Sequence, residues 1–372
     1  MTRQQPQLFI RLCQAEEDSR LAPGASRRRC HYPRQLLPIL LLCLVLSASV
    51  SPASHAEEAR RFFRIGTGGL TGVYYPIGKL IASGLTEPDR GKDGTDKGNG
   101  GVRGLVGVAQ NSAGSIENVR AVVTGEIDAG LVQADVAAWA LQGEHVFAGD
   151  KSPRVLRAVA SLYPEKFQIV TRRDANIHQV SKLRGKRISI DEIGSGTLAV
   201  MRIVLEAHGL TEKDLLPVYL KPVFTQDKMV SGELQGFVMM AGIPMEAVTR
   251  ISDIGISLVP IAPEIASRIS ARYPHLVPGE IPAEVYPGIP ATPTLQVYAL
   301  LVVSSETPEE LVYAVTAALW SKRTLSLLNE GHPQGKMITL KTALDGVSIP
   351  VHPGAERFYR EQGITVKGTP TP

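Results

Sequence analysis

All three cysteines, Cys13, Cys30 and Cys43, lie within the first 56 residues, and none follows. A chain freed of that segment has no disulfide, no thiolate nucleophile and no cysteine metal site. An excess of charge is missing too. The same 56 residues carry seven of the 40 basic and three of the 36 acidic residues, leaving 33 of each sign. The remainder is formally neutral, so the sequence pI of about 8.9 gives no support to a nucleic-acid partner. Long apolar runs are also scarce. The 15 apolar or small residues Leu36 to Val50 fall short of the roughly 20 that span a bilayer. They follow Arg27, Arg28, Arg29 and Arg34 and end in Ser54-His55-Ala56, the pattern of a secretory signal (residues 1–56) cleaved before Glu57. An uncleaved anchor is the competing reading.

Familiar catalytic patterns are absent as well. A dinucleotide fingerprint needs a glycine where Thr71 stands, and a phosphate-cradling loop needs Ser or Thr after Gly78-Lys79, where Leu80 stands. Neither G-x-S-x-G nor H-E-x-x-H occurs. The six histidines after residue 56 (His145, His178, His208, His275, His332 and His352) include no pair at helical ligand spacing.

What is present is organised around Arg64 to Leu85, RIGTGGLTGVYYPIGKLIASGL. A strand end runs into a turn with Gly66, Gly68, Gly69 and Gly72, where backbone comes close to a neighbour or adopts positive φ. Ile77, Leu80, Ile81, Gly84 and Leu85 then recur with the spacing of a helix burying one face. Such a helix points unpaired N–H groups and its positive dipole end above the strand, which suits a carboxylate or phosphate. A tight βα turn with no ligand is the bland alternative.

The unit recurs. Lys186 to Asp191, the turn Gly194 to Thr197 and the helix through Leu198, Met201 and Leu205 repeat strand, glycine turn and helix. Thr124 to Val132 (TGEIDAGLV) also resembles Ser231 to Met239 (SGELQGFVM), which predicts two lobes of similar build. Within the first half of the chain, Glu87 to Gly101 reads as a polar surface loop and Leu105 to Gln110 as a strand. Ser115 is expected to cap a helix carrying Ile116, Val119 and Val122, stopping at Gly125. Val155 to Leu162 and Phe167 to Thr171 read as two β-prone stretches, and the proline-dense Tyr273 to Pro293 as extended connection. Leu295 to Ser304 is a buried strand, and Thr307 caps a helix that begins with Pro308.

At the strand-to-helix junctions stands a set of neutral donors. Thr67, Gly68, Gly69, Tyr74, Ser112, Ser115, Asn118 and Gln133 come from the first half, and Ser195, Gly196 and Thr197 from the second. Such a set holds a polar ligand beyond the carboxyl ends of strands but supplies no activated nucleophile or acid/base pair. Tyr74 or Tyr75 could instead pack in the core, and Asn118 could cap a backbone group. Asp135 is read as bonding to neighbouring N–H groups, because a second anion repels a carboxylate.

Four stretches, IGTGGLTGVYYPIGKLIASGL, AQNSAGSIENVRAVVTGEIDAGLVQADVAAWALQG, DEIGSGTLAVMRIVLEAHGL and VMMAGIP with VYALLVVSSETPEELVYAVTAAL, resemble in order the TAXI family of solute-binding proteins of tripartite ATP-independent periplasmic (TRAP) transporters. The resemblance implies an α/β, type II periplasmic binding-protein fold in which two lobes close over a small anionic solute. Lobe 1 is expected at 57–161 and 297–372 and lobe 2 at 162–296, joined by crossings near Leu162 to Val170 and Pro293 to Val303. It further implies a periplasmic location, a glutamate-like amino acid or dicarboxylate as ligand, and a TRAP permease driven by an ion gradient as membrane partner. No catalytic residue, cofactor, metal or nucleic acid is expected. A secreted sensor acting through a membrane signalling partner, and an enzyme using the same cleft, are the alternatives. Relatives carry a cysteine pair around the loop equivalent to Glu87 to Gly101, and this chain has none there.

Overall fold

A computed structural model describes residues 60–88, 100–150 and 155–366. The secretory segment, its cysteines, most of the loop 87–101 and the last six residues lie outside the described residues.

The fold is the mixed α/β class expected. Among the described residues, ten strands form one sheet: β1 (Arg61–Gly66), β2 (Leu105–Gln110), β3 (Ala129–Gln133), β4 (Leu156–Arg172), β5 (Arg187–Ser189), β6 (Leu216–Val218), β7 (Gly236–Ala241), β8 (Ile256–Leu258), β9 (Val277–Ile281) and β10 (Thr292–Ser304). The spatial order is β2-β1-β3-β10-β4-β7-β5-β6, with β8 beside β4 and β9 beside β10. At one end β1 lies parallel to β2 and β3; at the other β5 lies parallel to β6 and β7. The two sequence stretches that resemble one another therefore end in β3 and β7, which occupy matching places. Between them run β4 and β10, antiparallel to each other and to their outer neighbours.

Helices cover both faces, as parallel strands require. One face carries α1 (Tyr74–Leu85), the short α5 (Gln226–Val230) and α6 (Glu246–Thr249), α8 (Glu309–Leu319), α9 (Lys322–Gly331) and α10 (Pro353–Glu361); the other carries α2 (Ser115–Thr124), α3 (Ala134–Gln142), α4 (Gly196–Ala207) and α7 (Pro263–Arg272). Two cores result, one per face. Along β10, Leu295, Val297, Leu300 and Val302 enter one, and Ala299, Leu301 and Val303 the other. The period of two is interrupted by register shifts around Leu300 against β4. Each core draws side chains from both ends of the sheet, so β4 and β10 are shared structure and more than tethers. Among the described residues no helix is long and apolar enough to cross a membrane.

Four local expectations need correction. The two stretches 155–162 and 167–171 form one 17-residue strand, because Tyr163 to Lys166 continue the pairing with β10. The proline-dense segment holds β9 and the start of β10, where Pro293 is accommodated opposite Glu280 beside an edge strand. The residue flanking α2 is Gly114, and the Ser115 hydroxyl instead accepts the N–H of Gln133 at 3.1 Å. Pro308, not Thr307, flanks α8, and no side chain caps it.

Candidate functional site

β1 delivers the chain into the glycine turn, and three buried polar side chains fix that turn. Thr67 Oγ1 donates to the carbonyl of Gln110 at 2.7 Å. The carbonyl of Thr67 accepts from Ser112 Oγ at 2.9 Å and from Asn118 Nδ2 at 2.6 Å. Asn118 Nδ2 also donates to the carbonyl of Leu131 at 2.8 Å, tying β1, α2 and β3 together. The Asn111 side chain holds the carbonyl of Gly68. The N–H groups of Gly68, Gly69 and Leu70 have no acceptor among the described residues.

The second turn follows β5. Ser195 Oγ caps α4 by accepting the Leu198 N–H at 3.1 Å. Thr197 Oγ1 accepts the N–H of Met240 at 3.2 Å and faces Met239 Sδ at 3.4 Å, fastening the helix start to β7. The two ends of the sheet meet here. The Gly194 carbonyl accepts the N–H groups of Ile116 and Glu117, both at 3.2 Å, at the start of α2, and Gly194 adopts φ +95°, which favours glycine. Gly196 approaches Gln133 so closely that an added Cβ would lie 2.4 Å from Gln133 Oε1.

Between the turns lies a narrow cavity of about 40 Å³. Of the eleven residues singled out from sequence, Gly68, Gly69, Tyr74, Ser115, Gln133, Ser195, Gly196 and Thr197 line it. Thr67, Ser112 and Asn118 do not; the two hydroxyls and the Asn118 amide nitrogen bond backbone carbonyls at Gln110, Thr67 and Leu131. Sequence reasoning also passed over the acids. Glu165, Asp191 and Glu192 line the cavity, with Lys221 as the single base, and Lys221 Nζ lies 3.1 Å from Glu192. The available signal was Glu165 in the middle of a mostly buried strand and Asp191 between a strand and the glycine turn at Gly194.

These acids sit in unusual surroundings. Tyr74 Oη donates to Glu165 Oε2 at 3.2 Å. Burial pushes the Glu165 carboxyl well above the usual carboxylate range; the Tyr74 hydrogen bond opposes this and the Asp135 charge adds to it. Burial pushes Asp135 up to about 7, partly offset by the N–H groups of Val136 and of its own residue, though neither carboxyl oxygen completes a hydrogen bond. Asp191, held at φ +68°, is likewise pushed up to about 7 by burial, against the Glu192 N–H and the hydroxyls of Thr197 and Ser195. The chain's own carboxyl thus occupies the neighbourhood of the second turn. Among the described residues no group of three or more His, Asp or Glu side chains is placed to hold a metal ion.

Solved structures similar to the chain include the periplasmic aliphatic sulphonate binding protein SsuA from Escherichia coli, 14% identical over 82% of this chain and 94% of that one, with a TM-score of 0.41. A putative L-cystine ABC transporter from Listeria monocytogenes is 12% identical over 76% of this chain and 99% of that one, with a TM-score of 0.44. MatC from Rhodopseudomonas palustris with bound malate is 13% identical over 73% and 88%, with a TM-score of 0.45. The NMT1-like family model matches residues 65–363, from the end of β1 through both glycine turns and the crossing strands to the close of α10, and on that match the chain belongs to the NMT1-like family.

Proposed function

We propose that the protein is an exported, periplasmic solute-binding protein that captures a small carboxylate and delivers it to a TRAP permease. The observation that carries this reading is the cavity itself. It lies where the first glycine turn, with acceptor-free N–H groups at Gly68 and Gly69 in its lining, faces the second turn. Backbone N–H groups at a helix start suit a carboxylate. Among the described residues no hydroxyl in the cavity is paired with a histidine; the Ser195 hydroxyl caps its own helix and that of Thr197 accepts from β7, which favours binding over catalysis.

In this reading residues 57–161 and 297–372 form one lobe and 162–296 the other, with β4 and β10 as the two crossings. Only the closed arrangement lets both turns touch one ligand, so ligand shifts the population toward closure. The Gly194 carbonyl on α2 and Gly196 against Gln133 are the contacts that closure makes.

Thermal unfolding of the protein from Glu57 onward, against amino acids and dicarboxylates, tests the proposal. A ligand at about 100 times its dissociation constant adds roughly 2.7 kcal/mol. If no member moves the midpoint, the reading fails. Co-purification with a many-span permease, as opposed to a sensor kinase, separates transport from signalling.

A further inference from the structure

We propose that Lys221 is a positioning residue that clasps the two lobes together, its ammonium reaching from Glu192 on its own lobe to the Ser112 carbonyl on the other, so that charge at this one place holds the cavity shut. This rests on the two-lobe reading of the solute-binding cavity and names the group that keeps it closed.

Each partner is held in place by its own lobe. Lys221 follows β6; the carbonyl of Leu220 accepts from Ser189 Oγ of β5 at 3.1 Å, and the Lys221 carbonyl accepts the Phe224 N–H at 2.9 Å. Glu192 stands at the second glycine turn, where its carbonyl accepts the Ser195 N–H at 3.2 Å and its own N–H bonds to Asp191 Oδ1 at 2.9 Å. Ser112 lies in the other lobe between β2 and α2, and its hydroxyl donates to the Thr67 carbonyl at 2.9 Å and accepts the Gly114 N–H at 3.0 Å. Between these anchors Lys221 Nζ lies 3.1 Å from Glu192 Oε1 and 3.4 Å from the Ser112 carbonyl oxygen. Both charged side chains are 24% exposed, so salt screens the pair only in part. An ammonium has three donors, enough to serve both lobes at once.

Like charges meet at the same boundary. Glu117, on α2, accepts the Ala113 N–H on Oε2 at 3.0 Å, one residue from Ser112. Gly194 brings the second turn against this helix: a Cβ added there would lie 3.4 Å from that of Ala113 and 3.9 Å from that of Glu117. The Glu192 carboxyl is raised by burial, drawn back by the hydrogen bond and charge of Lys221, and raised again by Glu117, so the two carboxylates act on each other across the boundary. Without Lys221, closure sets one anion against another. With it, the anion on the second turn is neutralised where the lobes meet.

The experiment is pulsed electron paramagnetic resonance on the ligand-free protein from Glu57 onward, with spin labels at Lys79→Cys in α1 and Lys213→Cys just before β6. Both positions are exposed, and that chain has no other cysteine. Two label-to-label distances, one closed and one open, are expected. Lys221→Met should lower the closed-to-open ratio by about fivefold and leave the urea midpoint unchanged, whereas Lys221→Arg should keep the parent's ratio. Lys221→Met combined with Glu192→Gln should regain part of the loss, because the repulsion is gone. Raising NaCl from about 0.05 M to about 0.5 M screens an attraction in the parent and a repulsion in Lys221→Met, so the closed fraction should fall in the first and rise in the second. A ratio unmoved by Lys221→Met, a double variant no more closed than Lys221→Met, or salt acting in the same direction on both overturns the clasp. Solute binding then still stands, since it is judged by the thermal panel. A single distance in every sample overturns the clasp together with two-lobe closure.

Discussion

Asn118 donates its side-chain amide to the carbonyl of Thr67 at 2.6 Å, from one helix to the turn that opens the cavity. The same nitrogen reaches Leu131 at 2.8 Å, and the residue is 1% exposed. An added Cβ at Gly66 would lie 2.5 Å from Asn118 Oδ1, so the turn is built closely around this side chain. Asn118→Ala removes one donor from each of two buried carbonyls, those of Thr67 and Leu131, and opens a void. It should cost about 2–4 kcal/mol of stability by chemical denaturation. A variant of unchanged stability but weak ligand binding would instead make Asn118 a ligand contact, the role its sequence position suggested.

Asp191 makes stability depend on pH in a fixed direction. Its folded-state carboxyl is pushed up to about 7 by burial, above the unfolded value near 4. A raised acid stabilises the fold while protonated, so stability is highest at about pH 4 and falls as pH rises toward about 7. Asp191→Asn removes that loss, and Asn tolerates the positive φ at this position. The variant should exceed the parent by up to about 4 kcal/mol at about pH 8 and match it near about pH 4. A constant difference across the range would sink this assignment. Asp135, pushed to about 7 by the same cause, contributes in the same sense.

Gly196→Ala tests the contact between the two turns. An added Cβ meets the end of the Gln133 side chain at 2.4 to 2.8 Å, and that flexible end moves aside more readily than backbone would. Alanine is also the better helix former at the start of α4. The expected outcome is a ligand-free midpoint within about 1 kcal/mol of the parent and a ligand affinity lower by about tenfold. Unaltered affinity in a calorimetric titration would show that closure does not need this approach.

Tyr286 buries its hydroxyl between two partners: it donates to Gln168 Oε1 at 2.6 Å and accepts the Met245 N–H at 3.0 Å. Tyr286→Phe strands both groups in an interior where Gln168 Nε2 already lacks a partner. A loss of about 1–3 kcal/mol in urea unfolding is expected, with ligand affinity unchanged because none of the three lines the cavity. Loss of binding at unchanged stability would place them in the ligand path.

The sequence by itself determined the local units. Gly66 to Leu85 and Gly194 to Ala207 announce strand, turn and helix through glycine placement and 3.6-residue spacing, signals that live within about 20 residues. The likeness of Thr124–Val132 to Ser231–Met239 announced the matched strands β3 and β7 for the same reason. It did not determine which polar groups face the cavity. Asn118 and Ser112 have the same chemistry as Ser115 and Gln133, and only the packing of α2 against β1 and β3 spends the former on backbone carbonyls while leaving the latter in the lining. Nor did it place Glu165, on β4, and Asp191, just beyond the end of β5, which are 26 residues apart in sequence and whose strands are separated by β7. Their meeting in one low-dielectric cavity is a property of sheet order. Burial there, a tertiary quantity, raises both carboxyls.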